Sequence, residues 1–290
     1  NSVSRRDYPR APDRSMARHA KCEIGAGDRV DTVFVPTRNE ALPTNRLDHL
    51  RHAFGCPVVA IPPFGEADAT PTATTLPLLS WFRDWYHSLS HISTVPGHYN
   101  PDVYQLGMKR AFAIHHAKAT GLTNIALIDD DIVISENATL PIQLPLASVD
   151  IISSAAMAFP DKSAVGHAAR FLGFDDSRYL SGQCCMIRLG EDIPIFPALY
   201  NDDIVFFLIA RRHLELGYVD CALQSPKDPF RASLATFEEF GEILAAGLMR
   251  APDSPGLPEL QDPKFWWSVM GRRQRWLEGM VEFAGSAGVL

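Results

Sequence analysis

Strand-like and helix-like segments alternate along the first half of the chain. The strand-like runs lie at 31–36, 57–61 and 124–128, and the helix-like runs at 44–54, 76–89 and 102–120. Such an alternation builds a sheet of mostly parallel strands whose crossover helices cover its faces. The sequence therefore predicts an α/β fold with a mostly parallel, twisted sheet flanked by helices.

The second half of the chain adds further strands and helices and ends in a mainly helical tail. Strands are expected at 150–156 and 179–188, followed by a helix at 202–217, and the tail from residue 229 is mainly helical. The first 28 residues are rich in Arg, Pro and Ser and would bury too little to offset their ordering entropy. We therefore expect three parts, which are a mobile N-terminal arm at 1–28, an α/β domain at 29–228 and a helical C-terminal extension at 229–290.

The amino-acid composition limits which binding partners and which cellular compartment are expected for this chain. The formal net charge is -7, which disfavours nucleic acid or an anionic membrane as the main partner. Charged residues interrupt every apolar run before the roughly 20 residues that a membrane span needs. Five cysteines without a CxxC pair fit a reducing compartment. These features predict a cytoplasmic protein with no membrane span.

Three consecutive aspartates, Asp129–Asp131, directly follow the strand expected at 124–128. Ligands of open α/β sheets gather beyond the carboxyl ends of strands. On an extended segment, Asp129 and Asp131 would face one pocket while Asp130 points elsewhere. Two close carboxylates need a cation, and oxygen ligands suit Mg²⁺ or Mn²⁺, which can also bind phosphate oxygens. A turn or capping cluster at the strand end is the alternative explanation.

Three short motifs follow one another in a characteristic order, namely VFVPTRNE at 33–40, LIDDDI at 127–132 and YNDDI at 200–204. Together they resemble the motifs of family-two glycosyltransferases with the GT-A fold, over about residues 31 to 217. The resemblance implies a GT-A-like sheet and transfer of a sugar from a UDP- or GDP-sugar to an acceptor hydroxyl, with inversion. It leaves the acceptor unspecified.

The resemblance also implies roles for individual residues. The residues that would bind the nucleotide-sugar are Pro36, Thr37, Arg38, Glu40, Lys109, Arg110, Asp129, Asp130 and Gly182. Asp131, together with Asp129, would hold Mn²⁺ or Mg²⁺. Asp203, beside Asp202, would act as the general base that takes the proton of the acceptor hydroxyl.

Simpler explanations exist for several of these residues. Single basic residues on a helix, such as Lys109 and Arg110, are more often solvated than functional. Glu40 and the pair Asp202–Asp203 could simply mark the starts of helices. The run Phe265–Trp267 fits the anchoring of a terminal helix better than stacking on a sugar.

The metal site departs from the family pattern. Many metal-dependent members of this family use a late histidine as a further ligand, but no histidine follows His213. Asp228 could contribute instead, or Lys227 could neutralise the diphosphate.

Two other functions stay open. A sugar-phosphate nucleotidyltransferase would share the architecture, although the turn after the first strand lacks the glycines that such an enzyme needs. A catalytically inactive sugar-nucleotide-binding protein would leave one acidic pair without a role. A terpene-synthase-like site is disfavoured, because Val205 and Ile209 occupy positions where its second motif needs Ser or Thr and Glu.

Overall fold

The computed structural model describes residues 18–19, 29–38, 42–63, 74–89, 105–135, 149–154, 164–173, 180–198, 201–219, 221–224, 235–250 and 258–286. Glu40, Lys227 and Asp228 lie outside the described residues, as does most of the segment predicted to be an arm.

The described residues contain nine strands and seven α-helices. The strands are β1 (Arg18–His19), β2 (Thr32–Pro36), β3 (Val58–Ile61), β4 (Asn124–Ile128), β5 (Ile132–Ile134), β6 (Ile151–Ser153), β7 (Cys184–Arg188), β8 (Leu216–Tyr218) and β9 (Ala222–Gln224). The helices are α1 (Thr44–Phe54), α2 (Ser80–Leu89), α3 (Gln105–Ala119), α4 (Ala164–Phe171), α5 (Asp202–Ala210), α6 (Ala235–Arg250) and α7 (Pro263–Ser286), with a 3-10 turn at Pro258–Gln261.

Seven of the described strands form the main sheet, in the order β1-β8-β6-β7-β4-β2-β3, and β5 pairs with β9 separately. Every strand of the main sheet runs in one direction except β7, which is antiparallel to both of its neighbours. Helices cover the sheet, as the alternation of strands and helices predicts. The α/β class with a mostly parallel sheet is confirmed.

Two apolar layers enclose the main sheet. Along β2, Val33 and Val35 face one side and pack with Leu50 of α1, whereas Phe34 faces the other side and packs with Phe112 of α3. Successive strand residues point to opposite faces, so one short run of apolar residues contributes to both layers. The helix expected at 44–54 has those bounds in the structure, because Gly55 ends it with a φ of 65° that a residue without a Cβ adopts readily.

The region around β8 differs from the prediction. The helix expected at 202–217 ends at Ala210, and Leu216–Tyr218 forms a strand instead. His213 therefore lies in the turn beyond α5 rather than within a helix. A three-residue strand is too short to show a period in sequence, and it forms because β6 and Arg18–His19 pair with it. That pairing also places two residues of the predicted arm in the sheet.

The C-terminal helices pack against the α/β core. Ile204 and Leu208 of α5 form an apolar cluster with Ala245 of α6. The indole N–H of Trp266 donates to the carbonyl of Leu260 at 2.8 Å, and its ring lies against Gly247. Trp266 therefore holds α7 against α6 within the C-terminal part, whereas Trp267 is 71% exposed. No helix among the described residues has both the length and the apolar character needed to cross a bilayer.

Candidate functional site

The predicted site residues that the structure describes gather at one edge of the main sheet, where β2 and β4 end and β7 begins. Ile128, the last residue of β4, lies opposite Cys184, the first residue of β7. From β2 the chain continues outward to β3 and then returns to β4 on the other side of β2. Ligands of open α/β sheets bind at such a reversal of strand order, beyond the carboxyl ends of the strands. This crevice is the candidate site.

Arg110 of α3 links two of the predicted motifs. Its side chain is 1% exposed, and its Nη2 donates to both carboxylate oxygens of Asp129, at 2.8 and 3.1 Å. Its Nη1 donates to Oδ2 of Asp202 at 2.9 Å. The expectation that Arg110 and Lys109 are solvated is wrong, since both are buried. Asp129 and Asp202 supply the counter-charges that offset the cost of burying Arg110.

Two carboxylates pair with this one guanidinium and a third, that of Asp203, acts on it through its field, which leaves an excess of negative charge. Burial lowers the pKa of Arg110, but the fields of Asp129, Asp202 and Asp203 outweigh burial and raise that pKa well above its usual value. Burial raises the pKa of Asp202 to about 7. Arg110 opposes this increase, and the neighbouring carboxylates add to it. The pKa of Asp129 is raised for the same reasons. Arg110 therefore stays charged, and a proton or a further cation would relieve the excess near neutral pH.

Asp203 lies beside this cluster at the start of α5. Its Oδ2 accepts the backbone N–H of Gly182 at 2.8 Å and lies 3.4 Å from the hydroxyl of Ser181. Its Oδ1 accepts the N–H of Ile204 at 2.8 Å. Asp203 thus partly caps its own helix, whereas the N-cap residue Asn201 makes no side-chain cap bond. The capping explanation and a catalytic role are compatible for Asp203, because each carboxylate oxygen has two lone pairs.

Gly182 permits this close arrangement. A Cβ at this position would lie 2.8 Å from the Cβ of Asp203 and 2.9 Å from Nη1 of Arg110. Gly107 plays a similar part on α3, since a Cβ there would lie 2.6 Å from the carbonyl oxygen of Pro197 and 3.3 Å from the Cβ of Asp202. Glycine at both positions lets the backbone approach the acidic pair.

The three aspartates after β4 take different partners. The chain turns at Asp130–Asp131, with the N–H of Ile132 donating to the carbonyl of Asp129 at 3.1 Å. Asp129 pairs with Arg110, whereas Oδ2 of Asp131 lies 3.9 Å from Nη2 of Arg38. The expectation of an extended segment that directs Asp129 and Asp131 to one pocket is therefore wrong, because a turn breaks the alternation.

The end of β2 contributes backbone and basic groups. The backbone N–H of Arg38 donates to Oδ2 of Asp130 at 2.9 Å, while the side chain of Arg38 is 69% exposed at the crevice. Nζ of Lys109 donates to the carbonyl of Thr37 at 2.7 Å. Pro36 and Thr37 are buried. Lys109 therefore ties α3 to the end of β2, and Arg38 is the predicted basic residue of this site that reaches solvent.

Two glutamines that were not predicted as site residues form a chain of hydrogen bonds that ends at Asp131. Nε2 of Gln224, on β9, donates to Oδ2 of Asp131 at 3.2 Å. Nε2 of Gln183 donates to Oε1 of Gln224 at 2.9 Å, and both glutamines are buried. A carboxylate can only accept, so Asp131 sets the direction of both bonds. Gln183 directly precedes β7, but nothing in the sequence connects Gln224 with Asp131.

Asp131 is the aspartate that fits the divalent ion implied by the resemblance. Both oxygens of Asp129 accept from Arg110, so this carboxylate balances the guanidinium. The side chain of Asp131 is 22% exposed and lies at the crevice. Within the described residues no three His, Cys, Asp or Glu side chains are grouped to hold a metal. An ion here would thus depend on Asp131, phosphate oxygens and water, an arrangement that Mg²⁺ tolerates.

Comparisons with known proteins assign no family to the chain. No protein-family model matches it, and no curated protein matches it in sequence. One solved structure to which it is similar is titled "Crystal Structure of A197 from STIV". The match has 9% identity and a TM-score of 0.35, and it covers 70% of this chain and 97% of that chain. A similarity at this level shows neither the family nor the activity of this chain. Its function is therefore inferred from the geometry of the site.

Proposed function

We propose that this chain is a glycosyltransferase that moves a sugar from a nucleoside-diphosphate-sugar to an acceptor hydroxyl. The observation that carries the proposal is the convergence of the separate motifs at one crevice. Arg110 joins Asp129, from the run after β4, to Asp202 at the start of α5. Asp203 meets Gly182 beside them. The GT-A-like form of the sheet is part of this proposal and is supported by the order in which β2, β4 and α5 present the motifs.

The residues have complementary tasks in this reaction. Asp203 takes the proton of the acceptor hydroxyl as that oxygen attacks the anomeric carbon, which is a role for a positioned carboxylate. The backbone N–H of Gly182 orients Asp203, and Arg110 orients Asp202. Arg38 and Lys109 place positive charge near the diphosphate. A divalent ion at Asp131, Mn²⁺ or Mg²⁺, would offset the charge of the departing nucleoside diphosphate.

Ligand binding is the first test. Thermal shift with UDP- and GDP-sugars, with and without Mn²⁺, should show a higher Tm with one donor and a larger shift with the ion, because a ligand of the native state stabilises it. Hydrolysis of that donor supports transfer. Binding without turnover supports the inactive binding protein instead, and release of pyrophosphate from a nucleoside triphosphate with a sugar phosphate supports the nucleotidyltransferase.

Two variants test the roles of the carboxylates. Asp131→Asn should abolish donor turnover and weaken metal-supported nucleotide binding. Asp203→Asn should leave donor binding near that of the wild type but lower turnover by about 100-fold or more, the scale of general-base catalysis. Asp84→Asn is the control, since Asp84 is exposed and pairs with the neighbouring Arg83. Full turnover by the Asp203 variant would show that its assigned role is wrong.

A further inference from the structure

Arg46, in the first turn of α1, has hydrogen-bond donors that the described residues do not satisfy. Its Nε and Nη2 atoms are buried, and neither has an acceptor among those residues. A guanidinium stays charged at any pH at which the protein folds. A buried ionic donor without an acceptor destabilises the fold. An acceptor from outside the protein would therefore stabilise this arrangement.

The surroundings of Arg46 place it at the candidate site. Burial lowers the pKa of Arg46, whereas the field of Asp130 and then that of Cys184 raise it. The backbone N–H of Ile134 in β5, just after the aspartate turn, donates to Nε2 of His49 at 3.2 Å, and Arg46 lies one turn before His49 on the same face of α1. Asp130 belongs to the turn after β4, and Cys184 is the first residue of β7. Arg46 therefore flanks the aspartate turn at the same edge of the sheet as Arg110.

The two arginines lie on different sides of the main sheet. The apolar layer that contains Cys184 also contains Leu50 of α1, whereas the layer with Met108 and Phe112 of α3 covers the other face. Arg110 is occupied by Asp129 and Asp202. Asp130, the carboxylate beside Arg46, already accepts the backbone N–H of Arg38. Among the described residues, no carboxylate accepts a hydrogen bond from the Nε or Nη2 atoms of Arg46 on the α1 side of the turn.

The start of α1 adds to this positive potential. Pro43 precedes the helix and supplies no side-chain cap, and the first turn contains no acidic residue. The dipole of a helix start favours anions, although the N–H groups of Arg46 and Leu47 already donate to the carbonyl of Pro43 at 2.9 and 3.1 Å. The exposed side chain of Arg38 lies at the same crevice. Guanidinium groups and backbone N–H groups together suit the oxygens of a phosphate.

We propose that Arg46 and the first turn of α1 bind a phosphoryl group at the crevice. In the transferase proposed above, this group is a phosphate of the nucleoside diphosphate, so the identity of the ligand rests on that function. The anion site itself does not depend on sugar transfer. A phosphate placed here would supply the acceptors that Nε and Nη2 of Arg46 lack and would lie close to a cation held by Asp131.

Inorganic pyrophosphate is the probe. Isothermal titration calorimetry of the full chain with pyrophosphate, in the presence of Mg²⁺, should give a Kd that is about 10-fold or more higher for Arg46→Met than for the wild type. Methionine keeps much of the apolar volume of arginine but has no hydrogen-bond donors. The Kd of Arg46→Lys should lie between those of the wild type and Arg46→Met, because lysine keeps the positive charge but lacks the planar guanidinium fork. Arg51→Met is the matched control on the same helix, where Arg51 is exposed and pairs with Asp48, and its Kd should equal that of the wild type.

A second measurement does not depend on the stability of a variant. In the ¹⁵N-labelled wild type, the Nε–H resonance of Arg46, assigned by its loss in Arg46→Lys, should shift when pyrophosphate is added. An unchanged resonance, or an unchanged Kd in a folded Arg46→Met protein, would overturn the inference and leave water as the partner of these donors. Pyrophosphate binding through Arg46 without binding of any nucleotide-sugar would refute the proposed function alone. Normal sugar transfer by Arg46→Met would refute the Arg46 inference alone.

Discussion

Among single residues, Gly182 has no room for a side chain. Replacing it with alanine would place a Cβ 2.8 Å from that of Asp203 and 2.9 Å from Nη1 of Arg110. We expect Gly182→Ala to lower the free energy of unfolding in urea by about 1–3 kcal/mol, the usual effect of overpacking. It should also lower donor turnover, because the guanidinium and the carboxylate must separate.

Gly190→Ala is the control for this prediction. A Cβ at Gly190 meets no atom within 4 Å, so the stability should change by less than about 0.5 kcal/mol. Equal effects of the two substitutions would show that the close approach at Gly182 is not a constraint.

The pKa of Asp202 predicts how stability depends on pH. Burial raises this pKa from 3.8 to about 7 in the folded protein, so the folded state holds a proton that the unfolded state releases. The stabilising contribution is complete below about pH 4 and is lost as the pH rises to about 7. The loss has a limiting slope of about 1.4 kcal/mol per pH unit.

Asp202→Asn removes this proton exchange. Urea unfolding between pH 5 and 7 should therefore show a stability that falls less steeply with rising pH in the variant than in the wild type. The slopes are compared rather than the absolute values, because the variant also loses the ion pair with Arg110. Parallel curves for the two proteins would mean that Asp202 titrates normally.

At the scale of elements, the small sheet of β5 and β9 supports the aspartate turn. Gln224 of β9 donates to Asp131 at 3.2 Å. Groups that orient a metal ligand commonly change metal affinity by about 10- to 100-fold when they are removed. We therefore expect Gln224→Ala to weaken Mn²⁺ binding at least about 10-fold, as measured by titration with electron paramagnetic resonance.

Gln274→Ala is the matched control, because Gln274 on α7 is exposed and its amide donates to Glu278 one helical turn away. Its Mn²⁺ affinity should equal that of the wild type. Unchanged affinity in Gln224→Ala as well would mean that the glutamines only hold the small sheet in place.

At the scale of the whole molecule, α5 connects the site to the C-terminal helices. Its first turn carries Asp202 and Asp203, and its apolar side chains Ile204 and Leu208 pack with Ala245 of α6. Leu208→Ala should lower the free energy of unfolding by about 2–5 kcal/mol, because Leu208 is 1% exposed and the cavity cannot collapse fully.

Tryptophan fluorescence and far-UV circular dichroism should report one shared unfolding transition for this variant, since the cluster joins the two parts. Val281→Ala, at a position 62% exposed on α7, should change stability by less than about 0.5 kcal/mol. Separate transitions for fluorescence and dichroism in the wild type would show that the C-terminal helices form an independent unit.

Features that depend only on neighbouring residues can be predicted from the chain alone. The bounds of α1, the strand before Asp129 and the helix that begins at Asp202 all follow from local apolar patterns and from turn residues. Gly121, two residues beyond the end of α3, adopts a φ of 76°. Periodicity and special backbone conformations are properties of short segments, so the chain alone reveals them.

The partner of each charged side chain depends on how distant segments of the chain pack together. Arg110 and Asp202 are 92 residues apart in sequence, and no local pattern distinguishes this buried arginine from a solvated one. The turn at Asp130–Asp131 and the contact of Gln224 with Asp131 likewise depend on strands that meet from distant parts of the chain. The strand at Leu216–Tyr218 exists through its pairing with β6 and β1. Burial and pairing energies depend on the distances between segments that are remote in sequence. Those distances are set by the packing of the whole chain and not by local patterns.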